Sequence, residues 1–141
     1  ANAVGTPRFP VASYDELQTI AGLERNHLNQ YRAYRQYISR GAGLSSHLEG
    51  SLSQAGSQHW WFHRVLEDFW DLYRQNGALY GQSPSNTDYD RALRNALRAA
   101  GRTPVEVEYE ASLARNQRIQ AGLMDNMPVP EIPGKPVMGK P

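Results

Sequence analysis

Ser57-Gln-His-Trp-Trp-Phe-His-Arg-Val-Leu-Glu-Asp-Phe-Trp-Asp-Leu-Tyr-Arg74 is the stretch on which the reading of this chain turns. It predicts one amphipathic helix, with Ser57 as its N-cap and Asn76-Gly77 as a left-handed terminator. His59 and His63 are spaced i,i+4, so their side chains leave the same face about 40° apart and can converge on one ion or one phosphate. Trp60, Trp61, Phe62, Val65, Leu66, Phe69, Trp70 and Tyr73 are too many apolar side chains for one stripe, which predicts a central, mostly buried helix. The helix start carries partial positive charge, which favours an anion near His59 and keeps the imidazoles neutral.

Upstream of that helix the pattern is mixed. Residues 1–12, with Pro7 and Pro10, read as an extended lead-in, and the capping-box pattern Ser13-Tyr-Asp-Glu16 predicts a short helix through about Gly22. Glu24-Arg-Asn-His-Leu-Asn-Gln30 lacks helical period and reads as a short strand or turn that presents side chains. Tyr34, Tyr37 and Ile38 predict a helix over 31–40, closed by Gly41-Ala-Gly43. Leu44-Ser-Ser-His-Leu-Glu49 reads as a second strand, followed by a Ser/Gly loop over 50–56.

Downstream, Asn86 or Thr87 caps a helix whose stripe is Tyr89, Ala92, Leu93, Ala96, Leu97 and Ala100, closed by Gly101. Thr103-Pro-Val-Glu106 is a capping box with Pro at the first helical position, opening a helix to about Gly122. Residues 125–141 carry five prolines and read as an extended or disordered tail. These patterns predict a predominantly helical α+β protein with a single domain over 13–124.

Composition narrows the chemistry. Net charge is +1, from 15 Lys+Arg against 14 Asp+Glu, which argues neither for nor against a nucleic-acid partner. Lys135 and Lys140 are the two lysines, so every cation in the body is Arg, either a set of phosphate-forking side chains or a product of codon usage. With no Cys, disulfides and thiolate metal sites are excluded. The longest apolar runs are a few residues, so neither a transmembrane helix nor a signal peptide is expected. The chain opens Ala1-Asn-Ala3 without Met, as after removal of an initiator or as part of a longer protein.

Several enzyme classes fail on motif. Trp60 stands where a zinc protease needs Glu after its first His, and there is no G-x-S-x-G elbow, phosphate loop or dinucleotide fingerprint. What remains is a His on a strand-like segment, a second strand, and a helix with two more His. That order resembles the ββα-metal site of HNH and endonuclease VII-type nucleases. Phe69-Trp-Asp-Leu-Tyr-Arg74, Pro84-Ser-Asn-Thr-Asp-Tyr89 and the Ala/Leu helix after them are similar to the C-terminal toxin domains of bacterial polymorphic toxins of the Rhs type.

The resemblance implies a small two-stranded ββα-metal-like core with additional C-terminal helices. It implies that His27 is the general base and that His59 and His63 hold a divalent ion, Mg²⁺, Mn²⁺ or Zn²⁺. Asn26, where an Asp or a second His is usual in the family, would add a neutral oxygen. The residue orienting the base is Asn29 or His47, which read otherwise as a turn residue and a strand residue. Glu24 is an accessory ligand or a solvated charge. Arg25, Arg32, Arg35 and Arg64 are near enough in sequence to contact backbone phosphates, or are solubilising charges. The implied setting is a secreted or injected effector that hydrolyses DNA, or RNA, in the cytoplasm of a target cell, with a cognate immunity protein as partner and no membrane association. Two alternatives stay open: a non-catalytic helical interaction module with structural histidines, and an effector with another activity on nucleotides.

Overall fold

The computed structural model describes residues 5–140; the first four residues of the expected lead-in and Pro141 of the expected tail lie outside it. Within it, a small three-stranded antiparallel sheet packs against helices in an α+β arrangement. The strands are β1 (Ala12–Ser13), β2 (Leu23–His27) and β3 (Leu44–Glu49), in the order β1-β3-β2. The helices are α1 (Tyr31–Tyr34), α2 (Gln58–Asp71), α3 (Asn86–Ala99) and α4 (Pro104–Gln120).

The two expected strands form and pair, with His27 opposite Ser45 and Asn26 opposite Ser46. A third strand, the two residues of β1, adds to the other side of β3, so the expected two-stranded core gains an edge. β3 is therefore central and its residues 45–48 are buried. Small Ser45 and Ser46 suit that position, and Ser46 Oγ donates to the Glu110 carboxylate of α4 at 2.5 Å.

The helix expected from Ser13 does not form. Ser13 instead ends β1, and its carbonyl closes one turn with the amides of Glu16 and Leu17 before the chain straightens. A capping box reports a competent start, and here no apolar stripe follows to bury a continued helix. The helix expected over 31–40 likewise stops after four residues and continues as turns.

α2 begins where expected, with Ser57 Oγ accepting from the Trp60 amide at 3.2 Å. It stops at Asp71, and turns carry the chain to Asn76, which takes the left-handed conformation at φ 72°. Trp60, Phe62, Leu66 and Trp70 are buried, while Trp61 projects to solvent. α3 buries the expected stripe, although its cap is Ser85 and neither Asn86 nor Thr87, in a capping box with Asp88. α4 has the expected Thr103–Glu106 box.

Two buried polar networks tie these layers together. Arg102 Nε donates to Glu110 at 2.7 Å, with both side chains 1% exposed, and Arg102 also reaches the His47 carbonyl at 2.6 Å. Arg118 Nη1 donates to Asn29 Oδ1 at 2.9 Å, and Asn29 Nδ2 donates to the Ala114 carbonyl. The flanking segments pack onto this body. Arg8 forks onto Glu106 and holds its carboxyl down to about 2. Val129 is buried and its amide donates to the Pro84 carbonyl.

Candidate active site

β2 delivers its last residues to the edge of the sheet, where the chain turns into α1. Tyr89 of α3 fixes that turn from below, its hydroxyl donating to the Leu28 carbonyl at 2.6 Å and accepting from the Gln30 amide at 2.9 Å. α2 passes underneath. The tail runs antiparallel along α2, because Arg74 holds the Pro133 carbonyl while Trp60 Nε1 donates to the Gly139 carbonyl. Between these three walls lies a cavity of about 280 Å³. Arg25, Asn26 and His27 line it from β2, Arg32 from α1, and His59 and His63 from α2. His27 and the helix pair His59 and His63, distant from it in the chain, thus share one hollow.

His27 is held on several sides. Its ring stacks on Tyr14 with centroids 4.7 Å apart and planes 4° apart, and Nε2 lies 2.8 Å from the Arg40 carbonyl. A carbonyl only accepts, so Nε2 carries the proton and Nδ1 keeps its lone pair. Burial lowers the proton affinity of the ring, the Arg40 carbonyl partly restores it, and the charges of Arg40 and Arg25 lower it again. The result is a neutral imidazole of fixed tautomer at neutral pH. Gly43 leaves room for it: a Cβ there would sit 2.6 Å from His27 Cδ2.

His59 and His63 are neighbours, with ring centroids 4.8 Å apart. Burial lowers the proton affinity of both; His63, crowded also by His59, falls from an ordinary 6.5 to about 3. Around His59 the Gly50 carbonyl and Glu24 oppose that effect. Both rings are therefore neutral, the form that ligates metals, and His59 Nδ1 is buried without a hydrogen-bond partner. The face continues to Glu67 at i+8, which also lines the cavity and is 4% exposed. Burial raises its carboxyl, and Arg74, donating at 2.6 Å, opposes the rise.

These donors fit a divalent ion in part. Two neutral imidazoles and the carboxamide oxygen of Asn26 form a mixed nitrogen and oxygen set of the kind that suits Zn²⁺ or Mn²⁺ better than Mg²⁺. Among the described residues no three His, Cys, Asp or Glu side chains gather closely enough to enclose an ion by themselves. Coordination would have to be completed by water and substrate oxygen.

The other candidates from sequence are spent elsewhere. Asn29 is not an orienting residue of this cavity, because both ends of its amide bind α4, at Ala114 and Arg118. His47 is 2% exposed with Nε2 2.6 Å from the Gln18 carbonyl, a strand residue locked in the interior. Glu24 lines a separate hollow with Gly50 and Ser53. Arg35 pairs with Glu131 of the tail at 2.7 Å, and Arg64 pairs with Asp68 beside a different hollow.

No family model matches the chain, and comparison with curated proteins and with solved structures found no match. The site therefore rests on its own geometry. Sequence reading passes over Glu67, although its i+8 spacing from His59 was visible. It also passes over Tyr14, Gly43 and the tail residues Pro133 and Pro136, for which no local pattern announces a role.

Proposed function

We propose that this chain is a metal-assisted phosphodiesterase, an endonuclease domain acting on DNA or RNA. The observation that carries the reading is the shared cavity of His27, His59 and His63, flanked by Arg25 and Arg32. His27 Nδ1 takes a proton from a water molecule as the water oxygen bonds to phosphorus, and the leaving oxygen departs on the far side. Burial keeps the ring neutral, and so available as a base at neutral pH, while its lowered proton affinity weakens its pull on that proton. Arg25 and Arg32 hold backbone phosphate; Arg25 is oriented by stacking 4.0 Å over Tyr14 and by its bond to the Tyr14 carbonyl. A divalent ion on His59, His63 and Asn26 would stabilise charge on the phosphate.

The biological setting we attach to this is that of a polymorphic-toxin tip, secreted or injected, working in the cytoplasm of a target cell and neutralised by an immunity protein. Its support is the order of motifs along the sequence. Among the described residues no helix is long and apolar enough to cross a membrane. The competing reading, an interaction module with structural histidines, draws on the lack of a closed ligand set among the described residues.

Incubation of the folded protein with plasmid and with RNA, in Mg²⁺, Mn²⁺ or Zn²⁺, separates the two. Metal-dependent cleavage is expected, and His27→Ala should lower it on the order of 10²–10⁴-fold while the circular dichroism spectrum is unchanged. Absence of cleavage under every metal, by protein shown to be folded, would leave the interaction module as the better account.

A further inference from the structure

The cavity is more apolar than a phosphodiester alone requires. Besides the imidazoles and cations, Tyr31 lines it from the α1 side, and Leu52, Pro133 and Pro136 line it from the loop and tail. Tyr31 keeps 37% exposure, with its ring centroid 6.0 Å from that of His27. Gln30 joins the lining, and its Oε1 is occupied by the Trp70 indole at 2.5 Å, so its Nε2 donors are the atoms left to face a ligand. Asn26 adds a buried Nδ2 with no hydrogen-bond partner, on a residue 3% exposed.

An aromatic ring, two prolines, a leucine and unpaired amide donors in one lining make a poor receptacle for phosphate. They make a good one for a flat heteroaromatic ring with acceptor atoms on its edge. Arg25 and Arg32, beside it, would neutralise the phosphate attached to such a ring.

We infer that Tyr31, in one lining with Pro133 and Pro136, forms a stacking slot for one nucleobase, so that the substrate is single-stranded or locally unpaired nucleic acid. A base inside a duplex has both faces covered by its neighbours and must leave the stack before it can lie on Tyr31. The slot would place the nucleotide's phosphate toward His27. This inference rests on the nuclease reading for its catalytic meaning, but the slot itself is a binding site and is tested as one.

The test is fluorescence anisotropy with the His27→Ala protein in chelator, so that nothing is cut. The probes are one labelled oligonucleotide as a single strand, as a perfect duplex, and as a single strand whose central bases are replaced by abasic sites. Single strand is expected to bind at least 10-fold tighter than duplex or abasic strand. Adding Tyr31→Ala should weaken single-strand binding roughly 10- to 100-fold, and Tyr31→Phe should restore it, because stacking needs the ring and not the hydroxyl. Equal affinity for single strand and duplex, or a Tyr31→Ala affinity unchanged for the single strand, overturns the slot. A wild-type protein that binds single strands with this Tyr31 dependence and yet cuts no nucleic acid under any metal sinks the nuclease reading and keeps the slot.

Discussion

Lowering the pH from 7 to 5 should cost the metal-free protein the stability that comes from holding His63 neutral. In the unfolded chain this histidine titrates near its ordinary 6.5, whereas in the fold burial and the neighbouring His59 bring it to about 3. The folded state therefore binds fewer protons than the unfolded state between those values, and stability is full above 6.5 and falls as the pH drops. Across pH 7 to 5 the unfolded ring takes up most of a proton and the folded ring almost none, a difference of about 2 kcal/mol. His27 and His59, also lowered by burial, act with the same sign. Glu67 and Glu110, raised by burial, act with the opposite sign. The quantity to measure is consequently the difference between wild type and His63→Gln in urea unfolding at both pH values, with chelator present. The variant should lose about 2 kcal/mol less than wild type on acidification. An equal loss in both proteins would refute the claim that His63 is held neutral by its surroundings.

Two further outcomes follow from the geometry. Arg102→Met should destabilise by about 3–5 kcal/mol in urea unfolding, because it strands the Glu110 carboxylate in the interior, while pairing it with Glu110→Leu should recover most of the loss. Gly43→Ala adds a Cβ that would lie 2.6 Å from His27 Cδ2, so the ring must move; cleavage should fall roughly 10²-fold with little change in the unfolding midpoint.

The elements that were legible in the sequence are those whose own residues stabilise them. The capping box at Thr103 and the apolar stripe on α3 are local signals, and both reappear in the structure. The box at Ser13 shows the limit of such signals, since a start without a buried face produces one turn and no helix. The candidate site divides in the same way. His59 and His63 could be placed together because a helix period joins them, and His27 could be placed at a strand end by its position in the motif order. Asn29 carried a side chain of the right type, and its capture by Arg118 depends on a residue 89 positions away. No window of sequence contains that pairing.

The tail makes the point in its strongest form, because composition alone pointed to an extended or disordered segment and said nothing of where it would lie. Proline has no amide hydrogen, so a proline-rich strand can lie against a surface with few donors left unmet. Its carbonyls still need partners, and Arg74 and Trp60 supply them at 2.7 Å to Pro133 and Gly139. Arg74 reaches Pro133 while it also neutralises Glu67, which faces the cavity. One guanidinium thereby fixes the third wall of the site and sets the charge of its floor. The hollow around the three histidines is thus a product of the folded tail as much as of the sheet and α2, and the proline part of its apolar lining is there because the tail is held in place.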